Sequence, residues 1–160
     1  MLFPWPFLRL ASSASSPPPP SGGGSSLRDS LPALLLGDAT LASLVADRVR
    51  PGSLSILDSY PGIRFVVISN KRVQGLRGPT DQWFARVEFS VVSDDAAVAN
   101  QVDLALFARL NAYRGSIGKF SLQQARLIGE SDQSELPIDG SDSWLYLIRS
   151  EFYLKYSLTS

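Results

Sequence analysis

The chain has 160 residues, and fifteen basic side chains balance fifteen acidic ones, so no overall charge draws it toward nucleic acid or acidic lipid. Hydrophobic residues make up 44%, enough for one domain with a core, while a charged content of 19% is below that of an ordinary soluble surface and leaves apolar area for a partner. Cysteine and histidine are both absent, which excludes disulfides, thiolate metal sites and a cysteine nucleophile, and removes the commonest general base and transition-metal ligand.

From the N-terminus, Met1 to Leu10 is apolar but does not read as a signal peptide. No basic residue precedes it, Pro4 and Pro6 break it, and Arg9 interrupts it. Phe3, Trp5 and Phe7 are spaced by two, and Ala11 to Ser26 holds only serine, alanine, proline and glycine. Pro17 to Pro20 favour a stiff extended run and Gly22 to Gly24 a swivel. Residues 1–26 are therefore expected to form a flexible arm with an aromatic tip, either a plain tail or a tethered plug that docks on a neighbouring subunit, and residues 27–160 one α+β domain. No apolar run approaches the roughly 20 residues that span a bilayer, so no membrane partner is expected.

Leu27, Leu31, Leu34 and Leu35 follow helical spacing, with Gly37 as the stop and Pro32 tolerable only in a first turn. Asp38 is a candidate N-cap for a second short helix carrying Leu41, Leu44 and Val45, ended by Pro51-Gly52. Ile63 to Val73 reads as a strand, and Gln82 to Val92 alternates, with Trp83, Ala85, Val87, Phe89 and Val91 on one side and Arg86, Glu88 and Ser90 on the other. The turn-rich stretch Gln74 to Thr80 should join them as an antiparallel hairpin.

One long helix follows, capped at Ser93 with Asp94 and Asp95 at its positive end, and stopped by Arg114-Gly115. Val98, Val102, Ala105, Leu106, Leu110 and Tyr113 make its apolar stripe. Leu104 and Phe107 fall off that stripe and are candidate intersubunit contacts, together with Phe3, Trp5 and Phe7 of the arm. Arg109 falls on the stripe and needs a partner or an exit along its stem. Lys119 to Gly129 is a weaker strand, Ser131 to Asp142 an acidic loop, and Trp144 to Leu158 a strong strand with Arg149, Glu151 and Lys155 opposite its apolar face. The expected fold is thus a two-layer α+β sandwich in the order α-α-β-β-α-β-β: a four-stranded antiparallel sheet, one long helix on it and short N-terminal helices.

Motifs for chemistry are sparse. Gly75-Leu76-Arg77-Gly78 does not open a helix after a strand and is no phosphate loop. Asp94-Asp95 reads as a helix start before it reads as a metal pair, and Asp132, Glu135, Asp139 and Asp142 lack the spacing of a calcium loop. No catalytic residue, metal or cofactor is expected. Arg64, Lys71, Arg72 and Arg77 cluster on the first strand and its hairpin. They read either as a solvated edge or as a patch facing DNA phosphates, without base reading.

Three segments carry a resemblance: Gly37-Asp38-Ala39-Thr40-Leu41-Ala42-Ser43-Leu44-Val45-Ala46-Asp47-Arg48-Val49-Arg50-Pro51, then Tyr60-Pro61-Gly62-Ile63-Arg64-Phe65-Val66-Val67, then Ala85 to Asp94 leading into the alanine-rich helix. With these the globular part resembles the tail-completion, or tail-to-head joining, proteins of long-tailed bacteriophages, which are tail-terminator-like. The resemblance implies a non-enzymatic protein of the virion neck, assembled in the host cytoplasm as a ring, commonly a hexamer. Its partners would be the tail-tube protein and the head-tail connector or adaptor, with DNA passing unread through the lumen. The alternative weighed beside it is a monomeric interaction module whose aromatic arm binds a partner.

Overall fold

The structure is a computed structural model that describes residues 23–52, 59–135 and 145–158. Four long strands form the body of its sheet: β2 (Gly62–Gly75), β3 (Gly78–Ser93), β5 (Phe120–Glu135) and β6 (Leu145–Leu158). Two three-residue strands, β1 (Val49–Pro51) and β4 (Gly115–Ile117), lie at the edges, giving the order β1-β2-β3-β6-β5-β4. Helices α1 (Gly23–Leu36), α2 (Ala39–Val45) and α3 (Ala96–Leu110) complete it.

The expected four-stranded antiparallel sheet under one long helix is corrected on two counts. The sheet has six strands, is mixed because β1 runs parallel to β2, and curls into a half-barrel with three helices. Val49-Arg50-Pro51 was hidden in what the sequence presents as the end of α2. That helix instead ends at Val45, Ala46 turns the chain at a positive φ of 54°, and the next residues pair with Ile63 to Phe65. Backbone bonds from Ile63 N to Arg48 O and from Gly52 N to Phe65 O, both 2.8 Å, hold that short parallel pair. The helical layer is also larger than expected. Helix α1 has 14 residues with Pro32 in its interior, where the ring removes one helical hydrogen bond.

Alternation on β3 is as read. Ala85, Val87, Phe89 and Val91 are buried, and Arg86 and Glu88 face the other way. The core lies between this inner face and the helices, with Leu27, Leu31 and Leu35 of α1, Leu41 of α2, Val102, Leu106 and Leu110 of α3, and Phe152, Leu154 and Tyr156 of β6 all fully buried. Phe89 meets Phe152 edge-on at 5.8 Å, and Phe120 meets Tyr156 edge-on at 5.1 Å.

The two outer long strands are irregular. Ile68 on β2 and Gln123 and Ile128 on β5 have no partner in the register and stand as bulges. Each bulge reverses which side the following residues face. This accounts for two exposed isoleucines, Ile68 and Ile128. The hairpin is tighter than expected: pairing continues to Gly75 and Gly78, with Gly78 at a φ of 124°, and leaves Leu76-Arg77 as the turn. The expected acidic loop is shorter, since Ser131 to Glu135 are strand residues paired with Leu145 to Arg149.

Candidate functional site: assembly surfaces and the sheet faces

Helix α3 is capped two residues later than expected, at Asp95 instead of Ser93. Asp95 is the N-cap and its carboxylate accepts from Ala97 N at 2.9 Å, while the Ser93 hydroxyl accepts from Asp95 N. The helix ends at Leu110 rather than at Arg114-Gly115, with Asn111 as C-cap. The stripe of Val102, Ala105, Leu106 and Leu110 is buried on the sheet, whereas Leu104 is 68% and Phe107 37% exposed. Three residues apart, they share one outward face and form an apolar patch. Phe3, Trp5 and Phe7, the other expected contacts, lie outside the described residues.

Arg109 finds its partners within the fold. Its Nε donates to the Leu34 carbonyl at 2.9 Å, and its guanidinium lies 4.9 Å from the centre of the Tyr113 ring. The last turn of α1 has no basic residue of its own, so a cation from α3 satisfies one of its terminal carbonyls. Gly37 makes room for this clasp, since a Cβ there would lie 2.9 Å from Arg109 Nη2.

The structure separates the four expected DNA-facing cations. Arg64 is 5% exposed, on the stretch of β2 covered by β1. Lys71, Arg72 and Arg77 are exposed on the hairpin arm. Arg72 faces inward, donating to the Thr80 carbonyl and lying over Trp83, which stacks on Tyr156. The Tyr156 hydroxyl donates to Asn70 Oδ1 at 2.8 Å, and its burial pushes the phenol up, partly offset by that bond. Lys71 faces the opposite, outer side, as its pairing with Phe84 requires.

A buried carboxylate on α3 has no counterpart in the sequence reading. Asp103 is 7% exposed and accepts from the Ser150 hydroxyl at 3.0 Å. Desolvation raises its pKa; the Ser150 hydroxyl opposes that, and nearby Asp132 adds to it. Glu130 is raised for related reasons: some desolvation, then Asp103 and Asp132. Asp132 also borders an open groove of about 350 Å³ between α3 and the ends of β5 and β6, lined by Ala96, Ala99, Asn100 and Tyr146. Asp103 sits at a position off the apolar stripe, and only the bulges in β5, which turn Glu130 and Asp132 inward, reveal its surroundings. At 2% exposure the Ser150 hydroxyl is out of reach of a substrate. Among the described residues no group of three or more Asp or Glu side chains is placed to hold a metal ion, and no helix is long and apolar enough to cross a membrane.

No family model matches the chain, and no curated protein matches it by sequence. A solved chain from the virion of a native gene transfer agent particle is similar in structure, with a TM-score of 0.68 at 14% identity over 86% of this chain and 98% of that one. At that identity the two share a fold. A further solved chain overlaps 86% of this one at a TM-score of 0.45, too loose to carry an argument.

Proposed function

We propose that the chain is a structural, non-enzymatic virion protein of the phage neck. In this reading copies form a ring, commonly a hexamer, that terminates the tail tube and joins it to the head connector or adaptor, with DNA passing through the lumen. The observation that carries it is the likeness to a chain of a gene transfer agent virion, which extends over almost the whole of that chain. Surface chemistry supports it: an exposed apolar pair, Leu104 and Phe107, on a helix otherwise packed into the core is what a lateral contact between copies needs. The protein would reside in the tail or neck of the particle and, during assembly, in the host cytoplasm.

Native mass measurement and negative-stain imaging test this reading, on the full chain alone and mixed with tail-tube protein. The expected product is a closed ring seated on the end of a tube. A chain that stays monomeric in every mixture and never joins tube or connector refutes it.

A further inference from the structure

The chain is neutral overall, but its charges are not evenly placed. The strand register sets the outer face of the sheet, the one turned away from the helices, into rows that run across β2, β3, β6 and β5. One row reads Lys71–Phe84–Lys155–Gln124 and the next Ser69–Arg86–Tyr153–Arg126. These two rows, at the hairpin end, hold four cations and no carboxylate. The third row, Val66–Glu88–Glu151–Gly129, holds two acids, and the fourth brings Arg149 and the buried Arg64. The carboxylates of Asp103, Glu130 and Asp132 lie on the opposite, helix side.

The acids of the third row are engaged within the face. Glu151 pairs with Arg86, and Glu88 lies 4.0 Å from Arg149. Two of the remaining cations rest on rings: the Arg126 guanidinium is 5.1 Å from the centre of Tyr153, the Lys155 ammonium 5.9 Å from that of Phe84, and the two rings stack at 5.4 Å. Aromatic support spreads these cations flat over a sheet instead of folding them onto carboxylates. With neighbouring strands about 4.8 Å apart, Lys71 and Lys155 stand about 10 Å apart, and the second row lies about 7 Å further along.

We infer that the hairpin end of the outer sheet face, through Lys71, Arg126 and Lys155, rests on the phosphate backbone of duplex DNA. A broad surface with surplus positive charge and no helix presented to a groove suits a uniform polyanion, whose charges recur every ~1.7 Å of axis and are met wherever the surface lands. The inference takes its ligand from the virion reading and assigns the surface that meets it. It also replaces the hairpin cluster expected from sequence, since Arg64 is buried and Arg72 turns inward.

The test is fluorescence anisotropy of a labelled random-sequence duplex titrated with the full chain across a salt series. Wild type should bind at low salt with a steep salt dependence. Arg126→Gln with Lys155→Gln should lower the slope of log affinity against log salt by roughly 1.8, about 0.9 for each lost phosphate contact. Arg28→Gln with Arg114→Gln removes the same charge from exposed sites outside this face and should leave the slope unchanged. Lys71→Gln, on an exposed side chain outside the hydrophobic core, should lower it by about 0.9 even where the first pair unfolds the domain. Absence of duplex binding by wild type, equal losses from both pairs, or polyglutamate competing as well as DNA overturns the inference. A chain that forms rings on tail tubes yet shows any of these results keeps its structural role and loses only this surface.

Discussion

Replacing Leu104 by Gln separates assembly from folding. The side chain is 68% exposed, so about a third of its surface is covered by its own domain. Full burial of a leucine is worth about 1.5–3 kcal/mol, which leaves about 1–2 kcal/mol for a neighbouring copy and under about 1 kcal/mol for the fold. Glutamine keeps the helix propensity and the length of the side chain. Chemical denaturation of the dissociated chain should therefore shift little, while each contact between copies weakens by about 5- to 30-fold, read by analytical ultracentrifugation across concentration. Adding Phe107→Gln, at 37% exposure, should deepen the loss of association. Unchanged association with the fold intact would show that this helix face is not the contact. A collapse of the monomer would show that Leu104 belongs to the core.

Three further outcomes test the fold and its buried charges. Arg109→Met keeps the aliphatic stem but strands the Leu34 carbonyl, and should cost about 2 kcal/mol in denaturant unfolding; an unchanged midpoint would mean the clasp contributes nothing. Phe152→Ala empties a fully buried site against Phe89 and should cost about 3–5 kcal/mol, measured the same way. Asp103 titrates above its ordinary value of 3.8 because it is desolvated, so its contribution to stability is complete below that value and lost as pH rises through the folded pKa. Asp103→Asn keeps an acceptor for Ser150 and should be more stable than wild type at neutral pH, with the gap closing on acidification; a gap that ignores pH would refute this.

What the sequence made legible follows from periodicity. β3 alternates without interruption through the core, so Ala85, Val87, Phe89 and Val91 could be assigned to the buried side from spacing alone. α3 and the long strand β6 were legible for the same reason. The weaker reading of β5 has a physical cause: bulges at Gln123 and Ile128 reverse its faces twice, and no single period of two survives. β1 and β4 are three residues each, and neither forms a pattern until its partner is in place. Of the candidate surfaces, the exposure of Leu104 and Phe107 follows from the helical stripe. The grouping of Lys71, Arg126 and Lys155 does not, because they are far apart in sequence and only the strand order brings them to one face.

The bulges also bear on how copies meet. β1 pairs only with Ile63 to Phe65 and β4 only with Phe120 to Leu122, which leaves long stretches of β2 and β5 bordering no other described strand. A straight, flat border of that length would template the addition of strands from further molecules and seed fibres. Kinked at Ile68 on one side and at Gln123 and Ile128 on the other, these borders offer a poor template. Growth by endless strand addition is thereby discouraged, and contacts between molecules fall to side chains, whose fixed geometry limits how many partners each can take.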